Sequence, residues 1–143
     1  MSDITSANSV VAITVPGLFP TPIILEGYSA DAAWNTDNRT GAEVQRGVDG
    51  RQTGGVVKNS TKQTFHFQAD SPSVALFDAI DTAQDVSNTV FYIQATITLP
   101  GPGKVYSGVR GVLTDVKPIA DAGKVLQAVD YVITWESLRS SII

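Results

Sequence analysis

His66 is the only histidine of the chain, no cysteine accompanies it, and so any nucleophile–base pair would have to run through this one side chain. It stands on the polar side of an alternating segment, flanked by Thr64 and Gln68, which is the setting of a surface strand histidine rather than a catalytic base. A metal would need His66 together with carboxylates, and no spacing supplies them. Asp78 and Asp81 lie one helical turn apart, and the wet face of a covering helix explains them. Glu26 and Asp31 flank Gly27-Tyr28-Ser29-Ala30, which reads as a strand end and a turn. Gly47, Gly50, Gly54 and Gly55 lack the Gly-Lys-Ser/Thr and the following helix of a phosphate cradle. Pro100-Gly101-Pro102-Gly103 is an unrepeated turn. These residues predict no enzyme, no cofactor and no metal. Trp34, set among small and polar residues, is suited equally to anchoring the core or a neighbouring subunit.

The segment 39–62 stands apart from the rest. It holds five of the ten basic residues, two acids and five glycines, and little that could fill a core. Polar connections beyond about 12–15 residues are usually functional or disordered. Elsewhere the balance is acidic: net charge is −4 and the pI about 4.7, which argues against general attraction to nucleic acid. Asp70, Asp78, Asp81 and Asp85 follow one another with no Lys or Arg between them. Such bipolarity suits head-to-tail association, although two solvated faces would look the same.

The elements that must carry these groups are mostly strands. Residues 9–15, 22–27, 61–68, 89–99, 104–117 and 124–136 read as strands, the clearest alternation being Thr61, Gln63, Phe65 and Phe67 against Lys62, Thr64, His66 and Gln68. Residues 43–48 and 54–58 form the legs of a hairpin turning through Asp49-Gly50. One helix is predicted over 71–86, with Ser71 as N-cap, Pro72 at its first position, Leu76, Phe77, Ile80 and Ala83 as the apolar stripe, and Asn88 as the stop. A length of 143 residues with 43% hydrophobic content fits one domain, and no internal repeat is visible. No apolar run approaches the roughly 18 residues of a membrane helix. Met1-Ser2-Asp3-Ile4-Thr5 carries neither a basic start nor an apolar stretch, so no signal peptide and cytoplasmic synthesis are expected. The fold class is mainly β: an antiparallel β-sandwich or barrel, a curled sheet with one flanking α-helix and a long hairpin arm.

Between residues 25 and 80 the order of features resembles the tail tube proteins of contractile-tailed bacteriophages. The matching pieces are Gly27-Tyr28-Ser29-Ala30-Asp31, the tip Gly47-Val48-Asp49-Gly50, and the helix start Ser71-Pro72-Ser73-Val74-Ala75-Leu76. The resemblance implies a single tail-tube domain over 1–143, with 35–60 as a protruding assembly arm. It implies six copies to a ring, rings stacked into a hollow tube within a contractile sheath, and genomic DNA passing through without specific binding. Sheath, baseplate and tape-measure proteins would be partners, the place would be the virion tail, and no membrane insertion is implied. Trp34, Arg39, Arg46, Asp49, Arg51 and Lys58 become the expected inter-subunit or inter-ring contacts. Asp115, Asp130 and Glu136, on the long strands, become candidates for the lumen. Ser137 to Ile143 either extends the last strand or docks on the sheath or an adjacent subunit. Two other readings stand beside this one: the tube of a related secretion system or tailocin, and a monomeric ligand-binding β-sandwich using Trp34 and Tyr28 as a stacking platform.

Overall fold

The computed structural model describes residues 9–29, 33–100 and 102–142. The expectations placed on Met1–Thr5, Asp31 and Gly101 lie outside those residues. Ten strands and one helix follow in order: β1 Val10–Val15, β2 Phe19–Ile24, β3 Trp34–Thr36, β4 Ala42–Arg46, β5 Gln52–Val56, β6 Thr61–Phe67, α1 Pro72–Ser87, β7 Ile93–Leu99, β8 Lys104–Val116, β9 Val129–Trp135 and β10 Ser137–Ile142.

Eight of the strands form one antiparallel sheet in the order β2-β1-β7-β8-β9-β6-β3, with β10 joining β8 as a branch. The branch follows from the behaviour of β8. Its first part pairs with β7 on one side and β10 on the other, and its last part pairs with β9. The ladder keeps one register from Lys104↔Ile142 to Leu113↔Ile133. The chain therefore bends rather than breaks, and β8 belongs to both layers of a sandwich. Strands that change layers do so through bulges or bends. Here Arg110 takes a left-handed φ of 50° and the β7 register slips between Ile93 and Ala95. The sheet does not close into a barrel, because β2 and β3 remain its two ends among the described strands. Pro20 and Pro22 lie in β2, where an outer edge tolerates them.

Inside, the alternation expected from sequence holds. Val11, Ile13 and Val15 from β1, Ile93 and Ile97 from β7, Phe65 and Phe67 from β6, and Val129, Tyr131, Ile133 and Trp135 from β9 are buried together. Helix α1 lays Leu76, Phe77 and Ile80 on them, and the Phe77 ring stacks on Tyr131 with centroids 4.9 Å apart. Its ends are as the residues required: Ser71 caps the start by accepting from Ser73 N–H, and Asn88 closes it in the left-handed region. Trp135 donates its indole N–H to the buried Gln63 amide oxygen at 3.0 Å, which satisfies both polar groups inside the core.

Several boundaries differ from the sequence reading: β2 runs Phe19–Ile24 where 22–27 was expected, and β5 runs Gln52–Val56 where 54–58 was expected. Trp34–Thr36 is a strand of the sheet, so the projecting arm begins after it. β7 starts at Ile93 and β9 at Val129, leaving Val90, Val125 and Leu126 exposed in connections. The tail Ser137–Ile142 extends the last strand along β8.

Candidate assembly surfaces

Two of the three segments that carried the family resemblance, the Gly27 turn and the Ser71 helix start, meet in space, while the tip Gly47–Gly50 stands away on the hairpin. The Glu26 N–H donates to the Ser73 hydroxyl at 2.9 Å, and the Ser71 hydroxyl donates back to the Glu26 carbonyl. Gly27 has φ +73°, and a Cβ there would lie 2.5 Å from Ser71 Oγ. A glycine is thus required where the turn presses on the helix start. Beyond it, Tyr28 stacks on Phe67 at 5.3 Å and tilts against Trp34 at 5.9 Å. The Tyr28 ring face is therefore taken by the core, which removes it from an open stacking platform. Its hydroxyl finds no hydrogen-bond partner among the described residues.

Trp34 is partly buried against the core and lines a groove of about 340 Å³ at the mouth of the sandwich, with Arg39, Ile97, Tyr106 and Leu138. One side of the indole packs inward and another borders the groove.

From beside this groove β4 and β5 project as a separate two-stranded sheet, and every one of their residues is exposed. Val57 N–H donates to the Gly41 carbonyl at 3.2 Å, which closes the base of the arm. At the tip, the Asp49 carboxylate accepts from Arg51 N–H at 3.0 Å. The Arg46 guanidinium donates to the Gly50 carbonyl and the Gln52 side chain. Arg39, Arg46, Arg51 and Lys58 make no ion pair within the arm or with the body among the described residues. A bare hairpin of this size is marginal in water, and Val44, Val48 and Val56 on it are left open to solvent.

Asp115, Asp130 and Glu136 fall on one outward face, that of the β8–β9–β6 layer. A bulge after Leu113 turns Asp115 outward opposite Val132. Asp130 meets His66 Nδ1 at 2.6 Å, while His66 Nε2 lies 2.7 Å from the Asn35 side-chain oxygen. Glu136 pairs with Arg110 at 3.0 Å, and that guanidinium sits 4.1 Å from the Tyr92 ring centroid. Lys62 shares the face, so it is mixed in sign. The His66 line across β3, β6 and β9 was invisible in the sequence, since its partners are 31 and 64 residues away. No group of three or more metal-ligating side chains assembles among the described residues.

Burial drives the Tyr28 phenol well above its ordinary value, and burial plus the Asp78 carboxylate does the same to Tyr131, whose hydroxyl donates to Asp78 at 2.9 Å. Both native values lie above the unfolded one near 10. The folded chain therefore holds protons that the unfolded chain releases, and stability falls as pH rises past about 10. Thermal melts from pH 8 to 11 are expected to be level at first and then to decline. The decline softens in Tyr131→Phe, and melts that stay level to pH 11 would contradict the burial of these phenols.

The bent two-layer sheet, capping helix and projecting hairpin define an architecture shared with parts of contractile machines. Residues 2–139 match the family described as tail fiber protein gp32, and the chain belongs to that family. Membership makes it a tail-associated protein. No protein with a curated description matches it. Among solved structures, it is similar to a chain of the extracellular contractile injection system PVC sheath/tube terminator in the extended state. That likeness has a TM-score of 0.64 at 15% identity, over 99% of this chain and 98% of that one. A chain of the PVC sheath–tube complex in the extended state gives a TM-score of 0.57 at 17% identity, over 93% and 88%. A chain of the anti-feeding prophage baseplate gives 0.59 at 10% identity, over 99% and 97%. At such identities the likeness is one of fold, and it is the fold that the resemblance to tail tube proteins implied.

Proposed function

We propose that this protein is the repeating subunit of a hollow tail tube, six copies to a ring and rings stacked inside a contractile sheath, through which genomic DNA passes. The observation that carries this is the arm: fifteen residues of ordered hairpin, Ala42–Val56, that touch almost nothing of their own chain. A hairpin with exposed valines and unpaired cations is stabilised when a second copy covers it. Because it projects from one place and must bind at another, the contact is heterologous, and heterologous contacts generate rings or filaments. The full-length likeness to chains from sheath–tube and tube-terminator assemblies supports the same reading.

In this proposal Trp34, Arg39, Arg46, Asp49, Arg51 and Lys58 lie at contacts between copies, and the face with Asp115, Asp130 and Glu136 lines the channel. An acidic lining repels DNA phosphates and lets the duplex slide without binding. Sheath, baseplate and tape-measure proteins are the further partners. A tube that conducts protein in an injection machine is the second reading, favoured by the origin of the solved neighbours.

Negative-stain electron microscopy of the concentrated protein tests it. Six-fold rings or stacked tubes are expected, and only small single particles would overturn the proposal. Tube yield should also fall between 0.1 M and 1 M salt, as the Debye length shrinks from about 10 Å to about 3 Å. Yield indifferent to salt would shift the driving force to apolar burial or backbone pairing.

A further inference from the structure

We propose that the hairpin tip of one copy docks in the Trp34 groove of a second copy, Val48 entering as an apolar knob and Asp49 pairing with Arg39 at the rim. The inference rests on the tube reading and names the receiving surface for its arm. Knob and hole are complementary in chemistry. Val48 is the most exposed large hydrophobic residue of the described chain, held out at a turn between Gly47 and Gly50. A Cβ on Gly50 would meet nothing within 4 Å, so the backbone around the knob is free of side-chain bulk.

The groove offers what the knob lacks. Its walls are Trp34, Ile97, Tyr106 and Leu138, and its volume of about 340 Å³ admits a valine together with the glycine backbone beside it. Arg39 also lines it and has no carboxylate within 4 Å among the described residues. Asp49 uses Oδ1 in its own turn, which leaves Oδ2 free for a cation. Charge and apolar surface thus match in the same order on both sides.

The same chain cannot satisfy itself. The groove lies beside the base of the arm, and five-residue strands at about 3.3 Å per residue carry the tip roughly 17 Å away. Each copy therefore presents a knob to one neighbour and a hole to another, which is the condition for propagation rather than a closed pair.

The chain has no cysteine, so an introduced pair reports the contact directly. Val48→Cys protein is mixed with Thr36→Cys protein, and separately with Leu138→Cys protein, both of which place a thiol in the groove. Each mixture is oxidised at high concentration, run on a non-reducing gel and imaged. A disulfide needs Cα atoms within about 7 Å, so a seated tip forms the mixed disulfide, identified by its linked peptides in mass spectrometry, and each variant oxidised alone measures self-pairing. Adding Asp49→Arg to the knob protein is expected to cut the dimer about tenfold, and adding Arg39→Asp to the groove protein to restore it, since tenfold is about 1.4 kcal/mol. Dimer together with tubes supports both proposals. Tubes without dimer at either groove position overturn the docking and leave the tube. Dimer without tubes leaves the docking and overturns the tube, and neither dimer nor tubes overturns both.

Discussion

Excising Ala42–Val56 and joining Gly41 to Val57 through Asn-Gly is expected to abolish the proposed tube assembly and to leave a folded, soluble monomer that melts close to the parent. The two ends already meet, with Val57 N–H on the Gly41 carbonyl at 3.2 Å. A two-residue turn of this type closes antiparallel neighbours without strain. Nothing in the core is lost, because β4 and β5 are exposed at every residue and pair only with each other. Shortening the connection changes closure entropy slowly, by about 1 kcal/mol or less. The assembly loss is all or none, since a heterologous lattice that lacks one of its two complementary surfaces cannot propagate. Circular dichroism melts and electron microscopy of the same preparation check both halves. Tubes of normal length from the excised protein would remove the arm from assembly, and a protein that no longer folds would show that the arm supports the body.

What the sequence revealed depended on whether the signal was local. Burial of one face makes a strand alternate, and so Val11-Ala12-Ile13-Thr14-Val15 and Thr61 to Phe67 were legible to within a residue. Ser71-Pro72 and Asn88 marked the helix for the same reason, since caps are written in the residues that make them. Trp34-Asn35-Thr36 carried no such signal. It is a strand because β6 offers an edge, with Trp34 opposite Phe65. Val125 and Leu126 continued the alternation of β9 and yet lie exposed, because the connection leaves β8 before it reaches them. Sandwich against barrel was undecidable, for closure depends on whether β2 and β3 meet, and neither strand encodes the other's position. The arm was visible as composition. The groove that borders it was not, since Trp34, Tyr106 and Leu138 come together only through the fold. Asp130 and Glu136 share a face by alternation, but Asp115 joins them only through the bulge after Leu113, and their companions His66 and Arg110 lie on other strands or across the bend.

The bend of β8 is a second point, after Gly27, where a single methyl group should do great harm. Gly111→Ala is expected to destabilise the chain by about 1–3 kcal/mol, the usual cost of overpacking. A Cβ there would lie 2.5 Å from Cε3 and Cζ3 of Trp135 and 2.8 Å from Ile133 Cγ2. Gly108, on the other side of the turn, faces the same indole at 2.8 Å. The ring has no room to retreat, being fully buried and held by its bond to Gln63. Gly108 and Gly111 therefore exist to let the strand fold around Trp135, and the indole is the inner support of the corner. Arg110, between them, accepts a left-handed backbone and is held there by Glu136 and Tyr92. Trp135→Ala alone should cost about 3–5 kcal/mol through the cavity it leaves. The two changes should not add, because the methyl group introduced by Gly111→Ala would enter space that the indole has vacated. Coupling of at least about 0.5 kcal/mol is the expected sign of direct contact. Denaturant titration of the two single variants and the double closes the cycle. A Gly111→Ala protein as stable as the parent, or strict additivity, would mean that the corner is supported from elsewhere.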